Sequence, residues 1–291
     1  MFEIKNDQEF SEYLKACSEY AKAKANPTKP SKGPNIAVYT VTPNCYDILE
    51  ASVKSLLVNS SVDKIYILIN EPKFPFELPK EIEIIDVHAL KIFSPLCRNM
   101  KTRFTHMCLM RLAYAKILPK EINKILSLDY DVIVDKNIDA LWDIDLGDKY
   151  VVAGAAERDR TIGYYRGYFN GDDFITTTRL ITKKDFYVNA GVMLMDLKKI
   201  RDEKLDDAFI DECNRESYRF PEQDIINLIC LGRIYELEEC YNVSRFTYSP
   251  TEQKIVHFAG EEKNPDHPLI KKYKEIPWEI VAEHRKMIYG K

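Results

Sequence analysis

The sequence predicts an α/β protein with a mixed, mostly parallel sheet buried between helices. Two observations carry that prediction: short β-branched apolar runs recur from residue 35 onward, and segments of helical period separate them.

The elements follow in order. Residues 7–25 have Phe10, Leu14, Cys17 and Ala21 at helical spacing, with Asp7 as a cap, and predict an accessory helix. The segment NPTKPSKGP (26–34) breaks it and separates residues 1–34 from a main domain at 35–291. NIAVYTV predicts the first strand, DILEASVKSLLV a helix, and KIYILI and EIEIIDV two further strands. Residues 102–118 predict one helix stopped by Pro119, and NKILSLDYDVIV one strand. The polar, Gly- and Tyr-rich stretch 155–185 predicts a long loop over the site. YVNAGVMLMDL predicts a strand running into a helix, EQDIINLICLG a helix ending at Gly232, KIVHFAG a last strand, and Trp278–Tyr289 an amphipathic segment.

Composition narrows the class. The chain has 291 residues, 45% hydrophobic and 30% charged, which excludes collagen-like, coiled-coil and wholly disordered architectures. A net charge of -4 argues against an extended nucleic-acid footprint. The seven cysteines are odd in number with no C-x-x-C spacing, which points to a reducing compartment and to thiols that pack as small hydrophobes. No apolar run reaches the ~18–20 residues of a membrane span, and the acidic start MFEIKNDQEF lacks an apolar h-region. The expectation is a cytoplasmic protein with no transmembrane segment, compatible with peripheral membrane contact.

Four groups of residues can carry chemistry. Asp129 and Asp131 flank Tyr130 at the carboxyl end of the run Ile125–Leu128, the edge of an open α/β sheet at which ligands bind. Two carboxylates there call for a cation such as Mn²⁺ or Mg²⁺, or else form a solvated turn. The D-x-D spacing recurs at Asp143 and Asp145, so context must separate the two. His257 ends the run Ile255–Val256, and an imidazole among carboxylates favours Mn²⁺ over Mg²⁺; a lone histidine is otherwise an ordinary core or surface residue. Gly260 allows close backbone approach, and Lys263 offers a point charge to phosphate. Asn189-Ala190-Gly191 is either a close-approach site for a sugar or phosphate or a plain bulge. Glu222-Gln223-Asp224 after Pro221 either caps a helix or presents amide and carboxylate groups to a substrate.

Taken in chain order, Tyr46, Arg111, LSLDYDVIV, LWDIDLGD, VNAGVMLMDLKKIR, PEQDIINL and HFAGEEK resemble glycosyltransferase family 8 over about residues 35–265. The resemblance implies a GT-A fold and a retaining transfer from a UDP-sugar with Mn²⁺ or Mg²⁺. It implies metal ligands at Asp129, Asp131 and His257, with the Tyr130 backbone near the ribose. Thr40, Thr42 and Tyr46 would border the uracil, and Gly260 and Lys263 would hold the diphosphate. Arg111, Asn189, Ala190, Glu222 and Gln223 would surround the donor sugar, with an acid near Glu157 facing it. The sequence departs from the family pattern at Thr42-Pro43, at Lys263-Asn264-Pro265 and at Glu222-Gln223-Asp224.

The function these features predict is transfer of a hexose, glucose or galactose, to a hydroxyl of a glycan, lipid-linked or protein acceptor. Gln223 is neutral and a poor nucleophile, so attack on the face that the leaving group vacates is expected over two successive displacements. A sugar nucleotidyltransferase would want a Gly-rich basic loop near the first strand, and VYTVTPNCY has none. The alternatives are a catalytically silent nucleotide-sugar-binding protein and a glycogenin-like self-glycosylating scaffold with Tyr164, Tyr165 and Tyr168 as acceptors.

Overall fold

The computed structural model describes residues 33–71, 74, 78–101, 106–157, 161–169, 173–180, 187–246, 252–260 and 263–291, with residues 101, 161–169 and 173–180 described by backbone alone. The predicted helix at 7–25 and nearly all of the linker after it lie outside the described residues.

In chain order the elements are β1 (Ile36–Thr40), α1 (Tyr46–Asn59), β2 (Lys64–Ile69), β3 (Ile82–Asp86), α2 (His106–Leu109), α3 (Tyr114–Ile117), β4 (Lys124–Leu128), β5 (Val132–Val134), α4 (Asp139–Trp142), β6 (Val152–Ala156), β7 (Thr161–Phe169), β8 (Asp173–Leu180), β9 (Val188–Asp196), α5 (Leu197–Asp202), α6 (Leu205–Arg215), α7 (Pro221–Ile229), β10 (Ile234–Glu236), β11 (Ile255–His257), α8 (Pro268–Lys274) and α9 (Trp278–Tyr289).

Among the described residues the main sheet has seven strands in the order β10-β6-β9-β4-β1-β2-β3. The block β4-β1-β2-β3 is parallel, as is β10 with β6, while β9 runs antiparallel to both β4 and β6. The fold class read from the sequence therefore holds. Alternate residues of one strand feed two cores: Ala37 and Tyr39 pack on one face, Ile36 and Val38 on the other. Both faces are covered at the centre of the sheet, so β1 and β2 are buried and apolar almost throughout, while the edge strand β3 keeps exposed acids.

This topology positions the site. The chain leaves β1 toward β2 on one side, and β4 lies on the other, which opens a crevice beyond the carboxyl ends of β1 and β4. Because β9 is reversed, its beginning, not its end, lies at that same edge. Leu128 pairs with Val192, and the Asp129 N–H then donates to the Gly191 carbonyl at 2.9 Å.

Three expectations need correction. NKILSLDYDVIV is two strands. The chain turns at 129–131, and β5 leaves the main sheet to pair antiparallel with β11, since Val132, Ile133 and Val134 find their apolar cover there. The predicted helix 102–118 is, over its described part, two short α-helices around a 3-10 turn at Met110–Ala113, with the α-helical path broken at Ala113 (φ −112°, ψ 7°). The tighter turn sends the Arg111 side chain into the interior. The stretch 155–185 is not one loop: β6 runs to Ala156, and β7 pairs antiparallel with β8. Its Thr, Ile, Tyr and Phe content suits strands, with Asn-Gly-Asp between them in the sequence. The acceptor tyrosines considered above, Tyr164, Tyr165 and Tyr168, fall on β7, where side chains are outside the description.

The amphipathic C-terminal segment is a helix with a structural task. His284 Nε2 lies 2.8 Å from the Val58 carbonyl, and Arg285 donates to the Leu57 and Val62 carbonyls at 3.2 and 2.7 Å. Two carbonyls of the last turn of α1, Leu57 and Val58, are thus satisfied by α9, and that of Asn59 by the Ile138 N–H. No helix among the described residues is long and apolar enough to cross a membrane.

Candidate metal centre

The turn after β4 and the end of β11 bring three side chains together. His257 pairs with Val132 across the β5–β11 ladder, and the Phe258 N–H donates to the Asp131 carbonyl at 2.9 Å. One oxygen each from Asp129 and Asp131 and one ring nitrogen of His257 lie within 4.8 Å of one another. His257 Nε2 is 3.5 Å from both Asp129 Oδ2 and Asp131 Oδ1. Three residues distant in sequence thus share one small volume.

The donor set suits a hard divalent cation. Asp131 is 1% exposed, and its Oδ1 is buried with no hydrogen-bond partner. A buried carboxylate oxygen left bare is costly, and a cation is the group that would satisfy it. Two carboxylates and an imidazole fit Mn²⁺ or Mg²⁺. The second D-x-D behaves differently: Asp145 accepts from the Gly147 N–H at 2.9 Å, an ordinary turn contact.

The electrostatics are coupled. Desolvation opposes charge on Asp129, but Arg111 and His257 outweigh it and hold the carboxyl below its ordinary range. Desolvation would also lower the His257 pKa, but Asp131 and Asp129 raise it. Lys263 sits 3.0 Å from Asp131 Oδ2 and 2.6 Å from the Tyr130 hydroxyl, over whose ring its ammonium lies 4.6 Å from the centroid. Arg111, 1% exposed, donates to Ser127 Oγ at 3.0 Å and to Asp129 Oδ1, and lies 3.5 Å from Glu222 Oε1.

The remaining predicted residues fall into two groups, one beside β9 and one beyond β1. Beside β9, the Ala190 N–H donates to Gln223 Oε1 and Gln223 Nε2 donates to the Tyr187 hydroxyl, both at 2.9 Å. Asn189 donates to Glu157 Oε1 at 2.5 Å. Glu222 Oε2 is buried without a partner, and desolvation raises the Glu222 pKa against the pull of Arg111. Beyond β1, Thr40 is buried at the strand end, Thr42 donates to Asn44 Oδ1 at 2.7 Å, and Tyr46 donates to Glu71 Oε1 at 2.7 Å with its ring edge-on to Phe74. Gly260 has φ +76°, and a Cβ there would overlap the Arg245 guanidinium.

Several participants have no sequence signal of their own. Asn242 lies 3.0 Å from His257 Nδ1 and donates to Asn189 Oδ1 at 2.9 Å. Arg245 lies against Gly260. Tyr187 links Gln223 to Asp224, donating to Asp224 Oδ1 at 2.7 Å. Asn242 and Arg245 lie in an unremarkable stretch and Tyr187 just before the Asn-Ala-Gly segment, and each gains meaning only from its neighbours in space.

The chain is similar to known proteins in sequence and in fold. A sequence model described as Glycosyl transferase family 8 matches residues 39–264. The chain is 24% identical over 258 residues to glycosyltransferase GlyE of Streptococcus pneumoniae, covering 79% of this chain and 57% of GlyE. It is 26% identical over 182 residues to general stress protein A of Bacillus subtilis, covering 54% of this chain and 59% of that protein. It spans roughly 38–59% of the length of these and the other first curated relatives. Among solved structures, the galactosyltransferase LgtC in complex with donor and acceptor sugar analogues has a TM-score of 0.59 at 19% identity, covering 85% of this chain and 95% of that one. The apo WbbM bifunctional glycosyltransferase has a TM-score of 0.61 at 16% identity, covering 89% of this chain and 52% of that one. At such identities these two show the fold.

Proposed function

The chain belongs to glycosyl transferase family 8, and from that premise we propose that it moves a hexose, glucose or galactose, from a UDP-sugar to a hydroxyl acceptor with retention of configuration. The observation that carries the proposal is the convergence of Asp129, Asp131 and His257, with one Asp131 oxygen buried and unpartnered.

Asp129, Asp131 and His257 would hold Mn²⁺, or Mg²⁺, which supplies Lewis-acid neutralisation of a diphosphate. Lys263 adds a cation beside Asp131 and stabilises negative charge as the nucleoside diphosphate departs. The Tyr130 backbone borders the ribose, Thr40, Thr42 and Tyr46 border the base, and the Gly260 backbone approaches the phosphates. Arg111 keeps Asp129 charged and oriented while leaving Glu222 Oε2 free to accept from a sugar hydroxyl. Asn189 and Ala190 form the wall of the sugar site. The Gln223 amide is anchored at both ends and carries no charge, which supports attack by the acceptor on the face that the leaving group vacates.

The catalytic unit is assigned to residues 35–291, with 1–34 as an accessory helix and linker. The acceptor is a glycan, a lipid-linked sugar or a protein. The setting is proposed to be reducing and cytoplasmic, from the odd number of cysteines and their lack of C-x-x-C spacing in the sequence.

A panel of UDP-sugars with Mn²⁺, read by UDP release and mass spectrometry, tests the proposal. Turnover of one UDP-hexose, lost on chelation and giving a product of unchanged anomeric configuration, is expected. Donor binding without release would replace it with a silent binding protein. A mass increase of the chain itself would make it a self-glycosylating scaffold. An inverted product would reject the retaining mechanism.

A further inference from the structure

The amides behind His257 orient one another, starting from a group that can only donate. The Gly191 N–H donates to Asn189 Oδ1 at 2.9 Å, which fixes that atom as oxygen and turns the Asn189 amino group toward Glu157. The same oxygen accepts from Asn242 Nδ2 at 2.9 Å. Asn242 must then aim its own oxygen the opposite way, and that oxygen lies 3.0 Å from His257 Nδ1. A carbonyl oxygen only accepts, so Nδ1 carries the hydrogen. The other ring nitrogen, Nε2, is the one that faces Asp129 and Asp131.

We propose that Asn242 is a positioning residue that holds neutral His257 in its Nδ1–H tautomer and so keeps the Nε2 lone pair for the cation shared with Asp129 and Asp131. The inference rests on the metal-centre reading above. The backbone keeps Asn242 in place: the Val243 N–H donates to the Ile255 carbonyl, and the His257 N–H to the Val243 carbonyl, both at 2.9 Å. Asn242 is 0% exposed, so water does not compete for its oxygen. A histidine ligand commonly has its remote nitrogen fixed in this way, by an acceptor that sets the tautomer and the ring orientation. Asn189 is the junction of the relay, since its oxygen serves Asn242 and its nitrogen serves Glu157.

Nitrogen-15 NMR of the His257 ring in the metal-free protein, at a pH where the ring is neutral, reads the tautomer directly. The expected result is a protonated Nδ1 and a bare Nε2. In Asn242→Leu, which keeps the bulk and removes the acceptor, the tautomers should mix, and Mn²⁺ affinity by calorimetry should fall about 10–100-fold. Asn242→Asp restores an acceptor at Nδ1 but loses the donor to Asn189 Oδ1, so it should recover the Nδ1–H tautomer and only part of the lost affinity. A wild-type ring protonated at Nε2 overturns the proposal, as does an Asn242→Leu protein with unchanged tautomer and affinity. If the leucine variant does not fold, the wild-type spectrum decides alone. A wild-type protein with the expected tautomer that binds no Mn²⁺ overturns the proposal through its metal, not through Asn242.

Discussion

Gly191 lies flat against the imidazole of His257. A Cβ at 191 would overlap the ring at Cε1 and Nδ1 and press on Asn189 Oδ1. Neither backbone can retreat, because the Gly191 carbonyl accepts from Asp129 and β11 is laddered to β5. The glycine in the Asn-Ala-Gly segment is therefore required by the histidine that crosses it.

Gly191→Ala should destabilise the fold by about 1–3 kcal/mol, the usual penalty for overpacking. It should also weaken Mn²⁺ binding by tilting His257 away from the aspartates. Urea denaturation and calorimetric Mn²⁺ titration check both effects. Wild-type affinity in this variant would mean that the ring has room the structure denies it.

Asp131→Asn should abolish metal-dependent turnover while the fold survives, since the amide is nearly isosteric and lacks the charge. Mn²⁺ at 100 times its dissociation constant should stabilise the wild type by about 2.7 kcal/mol, and the variant not at all. Thermal melts with Mn²⁺ and with chelator measure this. An equal Mn²⁺ response in both proteins would remove Asp131 from the site.

Arg111→Met should destabilise the fold. It leaves the largely buried Glu222 and the one-third-exposed Asp129 without their guanidinium, at a cost of up to about 3 kcal/mol, the low end for a broken buried pair. Arg111→Lys should recover only part of this, because an ammonium cannot span Ser127, Asp129 and Glu222 together. Denaturant midpoints of the two variants give the comparison, and a fully stable Arg111→Met would refute this account of the residue.

Asp224 predicts a pH effect on stability. Desolvation raises its pKa to about 7, against the opposing hydrogen bonds from Tyr187 and the Phe220 N–H. A carboxyl with a raised folded-state pKa is protonated in the folded chain and ionised in the unfolded one between about pH 4 and 7. Its contribution is complete below about pH 4 and is lost as the pH rises through about 7. Asp224→Asn removes that proton linkage. Relative to wild type, the variant should gain stability between pH 5 and pH 8, as urea midpoints at the two values would show. A pH-independent difference would place the folded pKa near its ordinary value.

The parallel block of the sheet was legible because KIYILI and KILSL are dense in apolar residues with no strict alternation, the signature of strands covered on both faces. Asp129 was legible as a strand-end residue for the same reason. The division of NKILSLDYDVIV was not legible. β5 is as apolar as β4, and only its pairing with β11 removes it from the main sheet. The hairpin β7–β8 was obscured because polar threonines and tyrosines compose strands as readily as loops when a partner strand is present. Arg111 could be placed in the site by family resemblance, but its burial depends on a local 3-10 turn that periodicity does not reveal.

By itself the sequence determined the α/β class, the strand-end positions of Asp129 and His257, and the order of landmarks that marks the family. Local spacing and hydrophobic pattern carry that information along the chain. Only the tertiary structure decided that Asp131 faces His257, that Gly191 must be bare beneath the ring, and that Asn242 stands behind it. Those contacts join residues more than fifty positions apart or set the polarity of a shared hydrogen bond, and both follow from how strands pair in space.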